Sequence, residues 1–108
     1  MRLLAGSEEI FLLTILKLKD NAYGVTIRRE VSSITGREWS IGAIYDPLYR
    51  LEKKSLVESR LSDPTRERGG RSKRMFSVTE KGLEALLAYK KIRDGLWQET
   101  QRLAVLVK

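Results

Sequence analysis

Ser40-Ile41-Gly42-Ala43-Ile44-Tyr45-Asp46-Pro47-Leu48-Tyr49-Arg50-Leu51-Glu52-Lys53-Lys54 is the stretch on which the reading of this chain turns. Ile41, Ile44, Leu48 and Leu51 step by 3, 4 and 3 residues, one face of an α-helix, with Tyr45 on the same side. Ser40 stands where a cap for that helix belongs. The other face carries Gly42, Ala43, Asp46, Tyr49, Arg50 and Lys53. Small residues followed by polar and basic ones suit a helix whose outer side approaches something closely; an ordinary solvated face would read the same way. Pro47 sits inside this helix, where it removes a backbone hydrogen bond and favours a kink.

Upstream, Gly24, Ile27, Val31 and Ile34 repeat the 3-4-3 spacing and predict a helix over Tyr23 to Thr35, closed by Gly36 after its C-cap. Before it, Ser7 reads as an N-cap with Glu8 and Glu9 in an acidic first turn. Residues Glu8 to Lys19 are apolar on nearly all sides, the mark of a central core helix, and Asp20-Asn21 ends it.

Downstream, Leu56 to Leu61 and Lys73 to Val78 read as two strands joined by a long tip with Pro64 and Gly69-Gly70 as turn formers. At and beside that tip Arg66, Arg68, Arg71, Lys73 and Arg74 face only Asp63 and Glu67. From Arg50 to Arg74 there are nine cations and four anions, so a quarter of the chain holds most of its net charge of +7. Glu52 falls on the core side of its helix, which is costly without a partner. A structural ion pair to a cation of the hairpin or the first helix is expected.

Thr79 caps a last helix that runs towards the C-terminus for over 25 residues, or roughly 40 Å at about 1.5 Å per residue. Ala85, Tyr89, Ile92, Leu96, Leu103 and Leu106 alternate by 3 and 4, interrupted by Glu99. A second stripe runs through Leu83, Leu86, Leu87, Trp97, Thr100, Ala104 and Val107. One small domain cannot cover so long an apolar helix, so it needs a partner helix, most simply from a second copy.

Composition narrows the function. The 108 residues fit one domain and a projecting element, and 42% hydrophobic residues suffice for a core. Twenty-one Lys and Arg against fourteen Asp and Glu point to a polyanionic partner, nucleic acid or an anionic membrane surface. With no Cys and no His, disulfides, thiolate or imidazole zinc sites and histidine-based triads are excluded. No constellation of the remaining reactive residues stands out, so no enzyme, metal or cofactor is expected. The apolar run Ile10 to Leu16 is too short for a membrane span, and Glu8 and Glu9 interrupt any signal peptide, which places the expected chain in the cytoplasm.

The order helix, helix, helix, hairpin, helix, with a basic hairpin, reads as a winged helix-turn-helix: mostly α with a small β-hairpin, plus a long C-terminal dimerisation helix. Ile44-Tyr45-x-x-Leu48-x-Arg50-Leu51-Glu52-Lys53-Lys54, then Leu56-Val57, then Arg68-Gly69-Gly70-Arg71-x-Lys73-Arg74-x-Phe76-x-Val78-Thr79-x-x-Gly82 resembles the PadR family of bacterial transcriptional regulators. Tyr23-Gly24-x-x-Ile27 and Glu9 with the leucine-rich first helix fit as well, and the resemblance spans about residues 8 to 87. It implies a cytoplasmic homodimer on an inverted-repeat operator, usually a repressor, of the shorter subclass with a single C-terminal dimerisation helix. The chain departs from the family where Ser55 replaces the usual Gly, and at Pro47.

The expected division is residues 1–78 for DNA binding and 79–108 for dimerisation. In the major groove Ser40, Gly42, Ala43, Asp46, Tyr49, Arg50 and Lys53 would meet base edges or flanking phosphates, while Arg66, Arg68, Arg71, Lys73 and Arg74 hold phosphates or enter the minor groove. Tyr23 either offers its hydroxyl to a phosphate at a helix start or packs beneath the wing. Tyr89, Ile92, Leu96, Trp97, Leu103 and Leu106 are the expected dimer residues. Paired copies of Trp97 could also sandwich a flat aromatic effector, against a plain dimer core. Two other readings compete: a winged-helix module whose basic wing meets an acidic protein, and a basic binder of membrane surfaces. The small-residue start of the third helix and the two-fold architecture favour duplex DNA over both.

Overall fold

A computed structural model describes residues 3–62 and 72–106, with 102–106 as backbone alone. The elements run α1 (Gly6–Leu18), a 3-10 turn (Lys19–Asn21), α2 (Gly24–Thr35), α3 (Ile41–Lys53), β1 (Val57–Leu61), β2 (Arg74–Val78) and α4 (Glu80–Leu106). The arrangement is the predicted winged helix-turn-helix with a long last helix.

α1 begins two residues earlier than its acidic residues suggest. Ala5 is the N-cap, and Glu8 reaches back to accept its backbone N–H at 2.8 Å, so Ser7 lies inside the first turn and caps nothing. Phe11, Leu12 and Ile15 are fully buried, and Thr14 joins them by giving its hydroxyl proton to the Ile10 carbonyl at 2.7 Å. The helix is not buried all round: Leu13 and Leu16 are exposed.

At the start of α2, Thr26 Oγ1 accepts the Tyr23 N–H at 3.0 Å, and Gly36 ends the helix in the left-handed region at φ 71°. Ile27 and Val31 enter the core, while Ile34 of the expected stripe is exposed. Apolar contact at that end comes from Trp39. Its ring meets Phe11 edge-on at 5.7 Å, its indole N–H donates to Thr35 Oγ1 at 2.9 Å, and Arg37 lies 4.5 Å over its face. The turn between α2 and α3 is thereby pinned to α1.

Ser40 caps α3 as expected, its hydroxyl oxygen accepting the Ala43 N–H at 3.1 Å. Ile44, Leu48 and Leu51 are buried; Ile41, a turn earlier, is exposed. α3 continues through Pro47, whose missing N–H leaves the exposed Ala43 carbonyl without its helical bond. The end of α3 is a Schellman turn: Leu56 N–H reaches the Leu51 carbonyl at 3.0 Å and Ser55 N–H the Glu52 carbonyl at 2.9 Å. Ser55 takes the left-handed position at φ 65°, the place where a glycine would be unstrained.

β1 and β2 pair antiparallel with Val57 opposite Val78 and Ser59 opposite Phe76. Phe76 N–H also donates to the Ala22 carbonyl at 2.8 Å, and Tyr23 bridges to Met75, so the loop before α2 joins the ribbon's side. Thr79 then caps α4 by accepting the Gly82 N–H at 3.0 Å while donating to the Ser55 carbonyl at 2.7 Å. A Cβ on Gly82 would stand 2.2 Å from the Leu56 carbonyl oxygen, so only glycine allows this approach. Leu86 completes the core, with Ala85 and Tyr89 packed against it. Arg93 pairs with Glu9 at 3.1 Å, a late tie between α4 and the domain. The molecule is elongated, 57 Å by 31 Å by 20 Å.

Candidate nucleic-acid interface

The outer face of α3 is built by subtraction. Once Ile44, Leu48 and Leu51 turn inward, helical geometry leaves Gly42, Ala43, Asp46, Tyr49, Arg50 and Lys53 outside, and all six are exposed. A Cβ on Gly42 would meet nothing within 4 Å, so the first turn presents almost bare backbone. Ser40 is exposed too, although its hydroxyl is engaged as the cap.

One turn on, Arg50 Nη2 lies 3.0 Å from Asp46 Oδ2. Both side chains are well exposed, so this pair contributes only about 0.3–0.5 kcal/mol. An arriving phosphate can therefore take Arg50 at little cost. Tyr49 stacks on Tyr45 with ring centres 5.6 Å apart and planes 22° apart, and Tyr45 rests in turn on Phe76 of the hairpin. The Tyr45 hydroxyl stands 2.3 Å from where a Gly24 Cβ would be, which explains the glycine after Tyr23.

The hairpin root closes against this face. Tyr23 is half-buried beside Met75, and the Lys73 ammonium lies 4.4 Å over its ring. Of the two readings of Tyr23, packing beneath the wing is the one with contacts. Arg74 Nη1 donates to Ser59 Oγ at 3.0 Å, and Ser59 Oγ donates to Glu52 Oε2 at 2.6 Å. The expected ion pair of Glu52 is thus corrected: a hydroxyl from β1 stands between carboxylate and guanidinium. The chain places Ser59 there because strand alternation turns it to the side of Val57. Arg66, Arg68 and Arg71 lie outside the described residues.

The expected dimer residues divide. Tyr89 is half-buried and packs against its own domain's core. Ile92, Leu96 and Trp97 are exposed, and the side chains of Leu103 and Leu106 lie outside the described residues. Leu13 and Leu16 of α1, expected in the core, are exposed instead and share a side of that helix with Glu9 and so with its Arg93 contact. The signal was present: α1 carries more leucines than one core face can cover. Leu83 and Leu87 add further exposed apolar area on α4. Between Leu87 and Trp97 on this second stripe, a hydrogen bond from Lys90 holds the Asp94 carboxyl below the usual carboxylate range.

Among the described residues no group of carboxylates is arranged to hold a metal, and no helix is long and apolar enough to cross a membrane.

The family model described as the transcriptional regulator PadR-like family matches residues 12–88. Comparison with curated proteins finds no match. Among solved structures, a PadR-like transcriptional regulator from Bacillus cereus superposes with a TM-score of 0.73 at 24% identity, over 91% of this chain and 90% of that one. A PadR family transcription regulator from Clostridium difficile is 28% identical, with a TM-score of 0.61 over 94% of this chain and 98% of that one. RosR from H. salinarum shares the fold at 22% identity and a TM-score of 0.69, over 96% of this chain and 90% of that one.

Proposed function

The chain belongs to the PadR-like family of transcriptional regulators, and from that premise we propose that it is a DNA-binding repressor working as a homodimer on an inverted-repeat operator. In this reading the outer face of α3 enters the major groove, with Asp46, Tyr49 and Arg50 at base edges or adjacent phosphates. Lys53, Lys73 and Arg74, with Tyr23 beneath them, serve the flanking backbone, and Arg66, Arg68 and Arg71 extend that grip. Residues 1–78 are the DNA-binding unit and 79–108 the dimerisation helix. Its first turns are shared with the core through Leu86.

The observation that carries the reading is a division of the surface by chemistry. The bare backbone at Gly42 and the exposed Asp46, Tyr49, Arg50 and Lys53 share one face of α3, with Lys73 at the hairpin root, whereas Leu13, Leu16, Leu83, Leu87, Ile92, Leu96 and Trp97, seven of the exposed large apolar side chains, lie on α1 and α4. Leu13, Leu16, Ile92, Leu96 and Trp97 supply the apolar area that a second copy would cover. Trp97, paired across such a dimer, would also suit a flat aromatic effector; quenching of its fluorescence by planar aromatics, lost in Trp97→Leu, would support that role. A regulator of this kind works in the cytoplasm without catalysis.

The experiment is binding to duplex DNA as salt rises. Each phosphate neutralised adds about 0.9 to the magnitude of the log–log slope, so a dimer using at least two cations per protomer gives a slope of about −4 or steeper. A slope near zero, with binding to acidic protein intact, would favour the protein-interaction module instead.

A further inference from the structure

Resting on the DNA-binding reading above, we propose that Ser59 is a positioning residue: the chain Glu52–Ser59–Arg74 ties the recognition helix to the wing and aims the Arg74 guanidinium at the DNA backbone.

Strand alternation puts Val57, Ser59, Leu61, Arg74, Phe76 and Val78 on one face of the ribbon. Val57 and Phe76 are buried in the core, so an apolar side chain would suit position 59, and a hydroxyl there is costly unless it is used. It is used twice. Ser59 Oγ gives its proton to Glu52 at 2.6 Å and accepts from Arg74 at 3.0 Å. Ser59 pairs with Phe76, which makes Arg74 its diagonal neighbour across the ribbon, a separation that a long side chain spans.

Both ends of the relay are informative. Glu52 belongs to the last turn of α3, and its carbonyl also accepts Ser55 N–H at 2.9 Å, so the carboxylate is fixed to a rigid point. At the other end a guanidinium has five N–H donors, and among the described residues Arg74 spends one nitrogen on Ser59. The rest of the fork stays available for a bidentate phosphate contact. A direct ion pair with Glu52 would have consumed it.

Mechanically, the relay stands where the ribbon needs it. A two-stranded ribbon is marginal by itself. Its base is held by Phe76 N–H on the Ala22 carbonyl at 2.8 Å and Thr79 N–H on the Leu56 carbonyl at 3.0 Å. Ser59 stands opposite Phe76 and Arg74 two residues nearer the tip, and there the relay sets the ribbon's angle to α3.

The test compares Ser59→Thr with Ser59→Val, two β-favourable side chains that differ by a hydroxyl against a methyl, on one duplex over a salt series. Arg74→Ala should weaken binding and reduce the slope by about one per protomer. Ser59→Val, with net charge unchanged, should weaken binding about fivefold and reduce the slope in the same direction, while Ser59→Thr binds as wild type. In the Arg74→Ala background Ser59→Val should add nothing, because Ser59 acts through that guanidinium. Equal binding by the Thr and Val variants overturns the proposal, and so does a Ser59→Val effect that adds in full to Arg74→Ala. Wild-type protein lacking salt-dependent duplex binding would overturn the DNA reading itself, which is a separate result from a wild type that binds and a relay that does not matter.

Discussion

Ser55 holds φ 65° at the close of the Schellman turn, a conformation that costs an L-residue about 1–2 kcal/mol. Its carbonyl anchors Thr79 and hence the start of α4, so the turn cannot relax without moving two helices. Ser55→Gly should stabilise the fold by about 0.5–1 kcal/mol, seen as a higher urea midpoint with an unchanged slope. Two other glycines should behave unequally when replaced by Ala. At Gly24 the obstacle is a side chain, the Tyr45 hydroxyl, and the ring can shift, so Gly24→Ala should cost about 1–3 kcal/mol. At Gly82 the obstacle is the Leu56 carbonyl, itself bonded to Thr79 N–H, so Gly82→Ala should cost more. Chemical denaturation of both variants gives the order directly; a reversed order would contradict the packing described. On the outer face of α3, Asp46 and Arg50 restrain one another in the free chain. Asp46→Ala releases Arg50 and removes a negative charge near DNA, so overall affinity should hold or rise. Discrimination between operator and random duplex should then fall about tenfold, the loss of one base contact. Arg50→Ala should weaken every duplex alike if it clamps a phosphate. Unchanged affinity and preference in both variants would mean that α3 is not the reading helix.

At the scale of elements, what was legible in the sequence was whatever periodicity and capping control. The 3-4-3 stripe found α3, Ser40 its start, Thr79 the start of α4 and Gly36 the end of α2. The stripe misjudged its own first and last members: Ile41 and Ile34 are exposed because the core is narrower than the helices that cover it. Trp39, which periodicity gave no role, closes that end of the core against Phe11. Ser7 was displaced as a cap by Glu8, a competition between two side chains for one helix start that spacing alone does not decide. The interposed Ser59 was equally invisible, since it depends on strand register and on the angle of α3 to the ribbon. The departure at Ser55 was legible as an oddity, and its cause, a left-handed backbone, is structural. The apolar stripes of α1 and α4 lead to a test at this scale. Leu96→Glu should convert a dimer into a 12.4 kDa monomer that keeps its helical spectrum, because Leu96 is exposed in the single chain and takes no part in its core. Sedimentation of the variant beside wild type checks it, and a Leu96→Glu dimer would place the contact elsewhere.

The whole molecule puts the exposed face of α3 and a basic ribbon on a domain from which a long helix extends, and its greatest dimension is 57 Å. Duplicated about a two-fold axis, as proposed, such a chain would present two α3 faces to one side of a duplex. Two recognition helices meet successive major grooves when they stand about 34 Å apart, one turn of B-DNA. In the proposed dimer, dimerisation and sequence reading would therefore be one property of the assembly: a protomer alone would hold only a half-site and half of the phosphate contacts. The most direct measurement is selection of bound sequences from a random duplex library by the full chain. The account predicts enrichment of an inverted repeat whose half-sites are centred about 10 base pairs apart, or a multiple of that. Recovery of unenriched sequences, or of a single half-site without its inverted copy, would contradict it.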